Sequence, residues 1–93
     1  MATPDRRDGR RAAAVRYRGG DISPELIARG RDHVADAILQ AAAAAGVPVR
    51  EDTVLVQALE TLELGQHVPS ELYAAVAEAL VWAYRLTGMR PPA

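Results

Sequence analysis

Apolar and polar residues alternate with a period of two near the start of the chain. Within residues 12–18, Ala13, Val15 and Tyr17 alternate with Ala14, Arg16 and Arg18. This spacing is typical of a β-strand. The Gly-Gly-Asp run at 19–21 then favours a chain reversal, because glycine tolerates the positive φ values that tight turns require.

The segment 24–28 after this turn has two interpretations. In the first, Ser23 caps a helix that has Pro24 at its first position, which is where helices tolerate proline. In the second, the segment is a strand that forms a hairpin with residues 12–18. The residues alone favour the helix slightly.

Three later segments have the helical period. They cover residues 31–45, 53–62 and about 69–86. The apolar face expected for the first helix consists of Val34, Ala37, Ile38, Ala41 and Ala45. Gly46 stands where a C-terminal cap belongs, and Asp52 can cap the second helix. Between these two helices, residues 47–50 predict a short strand. Because a helix leads into this strand, it is suited to pair with a parallel strand.

The order of these elements predicts the α+β (mixed α/β) class, with a small three-stranded mixed sheet covered by about three helices. A chain of 93 residues with 49% hydrophobic content fits one small core. We expect a domain over residues 12–88. We also expect a flexible, arginine-rich arm at residues 1–11 and a frayed tail at residues 89–93.

The net charge of −1 conceals two halves of opposite sign. Residues 1–18 carry six arginines against two acids, a sum of +4, and the remainder carries five arginines against ten acids, a sum of −5. A basic arm on an acidic body can contact nucleic acid, anionic lipid or the body itself. No aromatic residue precedes Tyr17, so a solvated tail is the favoured interpretation.

The residue types that support catalysis are sparse. Cysteine is absent, and the two histidines, His33 and His67, lack the spacing of a helical metal pair. Ser23 and Ser70 fit caps or turns and do not lie in a nucleophile elbow. We therefore expect no enzyme, and no catalytic, cofactor-binding or metal-binding residue. No run approaches the ~20 apolar residues of a membrane helix, which predicts a soluble protein.

Four segments carry a family resemblance. They are AVRY at 14–17, the proline-led segment 24–30, GVPVRED at 46–52 and GQHVPSELYAAVAEALVWAYRL at 65–86. Together they resemble the cytoplasmic C-terminal domain of the flagellar and type III secretion export-switch family, the FlhB/YscU type. The resemblance covers about residues 12–86 and favours a strand at 24–28, which we adopt.

The resemblance implies a membrane export-gate component whose cytoplasmic domain cleaves itself at an Asn-Pro-Thr-His loop by asparagine cyclisation. Alignment through Tyr17 places this tetrapeptide at Arg7, Asp8, Gly9 and Arg10. The chain contains no asparagine, so no side-chain amide is available to attack the following carbonyl. We expect no autocleavage.

In the family a strand precedes the cleavage loop, whereas here the corresponding residues belong to the arginine-rich arm. We therefore expect a sheet with one open edge, to which a partner can add a strand. The resemblance implies a non-catalytic adaptor of the export apparatus. Its expected partners are an export-gate membrane component, such as a truncated FlhB-like protein, and export substrates. The expected location is cytoplasmic, peripheral at the inner-membrane export gate.

The family's apolar docking patch for export substrates maps onto Ser23, Pro24, Ala77 and Leu80. Ala77 and Leu80 are one helical turn apart and can share a face. The alternative is that these residues are ordinary core. Two other functions stay open: binding of nucleic acid or an anionic surface by the basic arm, and oligomer formation through the open sheet edge.

Overall fold

The computed structural model describes residues 2–5 and 10–88, with the backbone alone at residues 2–5. The strands are β1 (Ala2–Asp5), β2 (Arg11–Arg16) and β3 (Glu25–Arg31). The helices are α1 (His33–Ala44), α2 (Thr53–Leu59) and α3 (Tyr73–Thr87), with a 3-10 turn at Ser70–Leu72 before α3. A small α+β domain with three helices in its described part is therefore confirmed.

The hairpin of β2 and β3 is present, and the segment after the turn is a strand. The pairing is antiparallel and runs from Arg16 opposite Glu25 to Arg11 opposite Arg31. In the turn, the backbone N–H of Arg18 donates to the Asp21 carboxylate at 2.9 Å. The helical interpretation of 24–28 is wrong, because pairing with β2 satisfies backbone groups that a single helical turn leaves open.

No strand is formed at 47–50, where Val49 alone makes a β-bridge. The N–H groups of Gly46 and Val47 instead donate to the carbonyls of Ala43 and Ala42, at 3.2 and 2.8 Å. These two bonds and the positive φ of Gly46 complete a Schellman cap of α1. Pro48 has no N–H, so neither it nor Val47 can donate to a ladder. All strand pairs within residues 2–5 and 10–31 are antiparallel, so the expected mixed sheet is also wrong.

The arm contributes to the sheet. Residues Ala2–Asp5 form β1, which pairs antiparallel with β2, from Ala2 opposite Ala14 to Asp5 opposite Arg11. The chain thus supplies the strand that we expected to be missing, and β2 has a neighbour on both sides. The arm predicted to be flexible at 1–11 thus includes a strand at Ala2–Asp5 that pairs with β2. Residues 6–9 and the tail predicted at 89–93 lie outside the described residues.

The helices cover both faces of the sheet. Ala13, Val15 and Leu26 of the strands lie in one apolar cluster with residues of α2 and α3. Its helical members are Leu55, Val56, Leu59, Val76, Ala79, Leu80 and Ala83. On the other face α1 lies against β3, so closely that a Cβ added at Gly30 would overlap the Val34 side chain.

The apolar face predicted for α1 is not the buried one. The buried residues of this helix are Ala35 and Ala42. Four residues of the predicted face are exposed and Ile38 is half-buried; the four are Val34, Ala37, Ala41 and Ala45. The pattern misled because α1 is rich in alanine on every side, so its apolar positions do not define one direction.

Candidate docking groove

The four residues predicted as a docking patch line one open groove. Ser23 and Pro24, which precede β3, face Ala77 and Leu80 of α3 across a space of about 270 Å³. The other lining residues are Tyr17, Ile22, Tyr73, Val81 and Tyr84. We call this space the docking groove. Its two walls are about 50 residues apart in the chain and are brought together by the fold.

The wall at Ser23 and Pro24 is held by a segment that follows α2. His67 Nδ1 lies 2.8 Å from the carbonyl oxygen of Ser23, and the Val68 N–H donates to the carbonyl of Pro24 at 2.7 Å. A carbonyl only accepts, so His67 Nδ1 carries the hydrogen of this bond. The outer edge of β3 is also occupied, because Leu26 and Gln66 share a backbone bond of 2.9 Å. His67 therefore has a structural role here.

The wall on α3 combines exposed and buried residues. Ala77 is exposed, whereas Leu80 is only 9% exposed and belongs to the apolar cluster. Leu80 is thus both a core residue and a lining residue of the groove. A charge at Leu80 would disturb the fold, while a charge at Ala77 would change the groove alone.

The groove is apolar and lacks strong charges. None of its lining residues carries a carboxylate, a guanidinium or an imidazole group. Desolvation by burial raises the pKa of Tyr84 above its ordinary value of 10.0, and the neighbouring Tyr17 raises it further. Ile22 stands at the rim with 92% of its surface exposed. Exposed apolar and aromatic groups clustered in this way make the groove a candidate interaction site.

A second, larger groove adjoins the first. It has a volume of about 690 Å³ and lies between α1 and the end of α3. Val34 and Ile38 of α1 line it, and it shares Tyr17, Leu80 and Tyr84 with the docking groove. This groove was not predicted, because the apolar face of α1 was expected to lie in the core.

Three arginines of the basic segment pair with acids of the body. The ion pairs are Arg10–Asp36 at 2.9 Å, Arg11–Glu60 at 3.7 Å and Arg16–Glu25 at 2.9 Å. A basic arm can contact nucleic acid, anionic lipid or the body of the chain. The described arginines make the third of these contacts. Arg6 and Arg7 lie outside these residues. Charges that are already paired offer less to a nucleic acid.

The remaining candidate residues do not assemble into a reactive site. His33 opens α1 in an exposed position, and the Ser70 hydroxyl lies 3.4 Å from the Glu71 carboxylate. Across residues 2–5 and 10–88, no cluster of three His, Asp or Glu side chains has the geometry to hold a metal ion. Among the helices described, none has the length and apolarity needed to cross a membrane.

Comparison with known proteins gives consistent matches. Residues 10–83 match the family described as the FlhB HrpN YscU SpaS Family. The uncharacterized protein YlqH of Bacillus subtilis is 41% identical over 78 residues, which cover 83% of this chain and 84% of that protein. The flagellar biosynthetic protein FlhB of Yersinia enterocolitica is 42% identical over 77 residues, but these cover only 20% of its length.

The fold has solved counterparts as well. The crystal structure of the cytoplasmic domain of FlhB from Shewanella putrefaciens matches with a TM-score of 0.83 and 26% sequence identity. The match covers 99% of this chain and 78% of that one. The chain is thus similar to a cytoplasmic domain over nearly all of its length.

Proposed function

The chain belongs to the FlhB HrpN YscU SpaS family, and from this membership we propose that it is a non-catalytic adaptor of the flagellar or type III protein export apparatus. In this role it binds export-gate components or export substrates at the cytoplasmic side of the inner membrane. The docking groove is the binding surface. The observation that carries the proposal is that Ser23, Pro24, Ala77 and Leu80 line this one groove.

The adaptor works without cleaving itself. Cyclisation needs an asparagine amide, and the sequence has none. The partner also need not donate a strand, because β1 already pairs with β2. Recognition therefore uses side chains in the groove, and the export-gate component and the substrates are the candidates for its occupant.

A charge placed in the groove tests this proposal. In Ala77→Asp, a carboxylate enters the apolar space and must be desolvated when a partner binds, which costs about 2 kcal/mol or more. Ala75→Asp is the matched control, because Ala75 is also an exposed alanine of α3 but does not line the groove. Both variants should keep the circular dichroism spectrum and melting temperature of the parent to within a few degrees.

The measurement uses cells whose own copy of the gene is deleted and replaced by each variant. Export substrates in the culture medium are quantified by mass spectrometry. We expect Ala77→Asp to lower their amount at least tenfold, and Ala75→Asp to match the parent. Equal secretion by both folded variants would show that the groove is not the functional surface.

A further inference from the structure

The lining of the docking groove points to one kind of occupant. Three tyrosines, Tyr17, Tyr73 and Tyr84, and one proline, Pro24, contribute four of its nine lining residues. Grooves lined by aromatic rings are a recurrent solution for binding proline-rich segments in the polyproline II conformation. We propose, resting on the function proposed above, that the docking groove binds an extended, uncharged, proline-containing segment of the partner protein.

The length of the groove suits a short extended segment. The lining residues of α3 run from Tyr73 to Tyr84, roughly 16 Å along the helix axis. A polyproline II segment of about five residues, at ~3.1 Å each, spans the same length.

The hydrogen-bonding groups favour proline within that extended chain. The backbone groups beside the Pro24 wall are already used, because the Pro24 carbonyl and both the N–H and the carbonyl of Leu26 are bonded to the segment at 65–68. A peptide therefore cannot extend the sheet there. The polar side-chain groups of the lining are hydroxyls, those of Ser23 and the three tyrosines. A proline has no N–H to satisfy, and its carbonyl can accept from a tyrosine hydroxyl.

The charges of the groove are complementary to a neutral segment. The lining lacks carboxylate, guanidinium and imidazole groups, so a charged side chain entering it would lose its hydration without gaining a counter-charge. Ser23 is only 4% exposed, and its hydroxyl makes a single long bond of 3.5 Å to the Pro24 carbonyl. The buried Ser23 hydroxyl can therefore form a shorter hydrogen bond with a bound ligand.

The test uses acetylated, amidated decaproline as the probe, with a decapeptide of alternating glycine and serine as its control. Amide and aromatic resonances of the full chain are followed by NMR as each peptide is added. We expect decaproline to shift the signals of Tyr17, Tyr73 and Tyr84, and the glycine-serine peptide to leave them unchanged.

Two variants make the test specific for the groove. Tyr73→Ala removes an exposed ring from the lining and should weaken decaproline binding about tenfold. Leu86→Ala is the control, because Leu86 is a 62% exposed residue of α3 that lines neither groove. Its affinity for decaproline should equal that of the parent.

Two outcomes would overturn the proposal. One is that decaproline shifts no groove resonance while an amphipathic leucine-lysine helical peptide does. The other is that decaproline binds equally well to the parent and to Tyr73→Ala. Either result leaves the adaptor function standing if Ala77→Asp still lowers secretion, so the class of occupant and the role of the groove are tested separately.

Discussion

Asp32 connects β3 to α1 in a backbone conformation that favours glycine. Among the non-glycine residues that the structure describes, Asp32 alone has a positive φ, of 52°. Its ψ is −116°. The conformation is held from both sides: the Asp32 N–H donates to the Arg10 carbonyl at 2.8 Å, and the Asp32 carbonyl accepts from Asp36 at 2.9 Å. The side chain makes no cap bond to α1. The residue therefore stores strain of about 1–3 kcal/mol.

Replacing Asp32 by glycine should release part of this strain. Both backbone bonds are kept, and the greater freedom of glycine in the unfolded chain offsets about 0.4–1 kcal/mol of the gain. We expect Asp32→Gly to raise the free energy of unfolding by about 1 kcal/mol in urea titrations. Gln40→Gly, at an exposed position within α1, should lower it by a similar amount. A loss of stability in Asp32→Gly would show that the aspartate side chain stabilises the fold.

At this scale the sequence predicted contacts better than conformations. The juxtaposition of Ser23 and Pro24 with Ala77 and Leu80 was expected from family resemblance. The strain at Asp32 was not expected, because it lies at a one-residue connection between β3 and α1 whose boundaries the sequence pattern did not define. Tyr17 was predicted as a strand residue. It directly follows β2 and lines the groove because the fold brings this end of β2 close to α3.

At the scale of elements, Glu60 joins three of them at one point. It follows α2 and forms ion pairs with Arg31 at 3.1 Å and Arg11 at 3.7 Å, at the ends of β3 and β2. The two arginines are direct cross-strand neighbours. Like charges in that position repel each other, so the shared carboxylate stabilises both the hairpin and its contact with α2.

Removal of this carboxylate should destabilise the domain. The side chains of Glu60 and Arg11 are only 15% and 14% exposed, so Glu60→Ala leaves a largely buried guanidinium without its counter-charge. We expect the free energy of unfolding to fall by about 2–3 kcal/mol. Glu63→Ala, at an exposed position nearby, should change it by less than about 0.5 kcal/mol. Similar values for the two variants, measured by chemical denaturation, would rule out the three-element junction.

The elements themselves were predictable where periodicity and caps agree. Helix α2 begins at Thr53 after the cap that was expected, since the Asp52 carboxylate accepts from the Leu55 N–H at 3.0 Å. The prediction failed at 47–50, where apolar residues resemble a strand but the N–H of Val47 is used by the cap of α1 and Pro48 has none. The buried face of α1 was also mispredicted, because alanine at many positions carries little directional signal.

At the scale of the whole molecule, the two grooves form one continuous apolar surface. They share Tyr17, Leu80 and Tyr84, so the surface runs from α3 across the end of β2 to α1. This surface could not be predicted from any one segment, because each of its walls comes from a different part of the chain. We expect the sheet beneath it to depend on β1, which pairs with one edge of β2.

Deletion of residues 2–5 tests that dependence. Four residues of β1 face partners in β2, and backbone bonds that contribute about 1 kcal/mol each would be lost with them. We expect the free energy of unfolding to fall by about 2–4 kcal/mol, a large share of the stability of a small domain. The exposed edge of β2 should also make the variant associate as its concentration rises.

Urea denaturation and sedimentation velocity measure the two effects. Removal of residues 90–93, also four in number, is the control for chain length and should leave the association state of the parent unchanged. A deletion variant that keeps both the stability and the association state of the parent would mean that the sheet does not need β1, and that β2 tolerates an open edge. Rescue of the deletion variant by an added peptide with the sequence of residues 1–6 would show that the pairing itself is responsible.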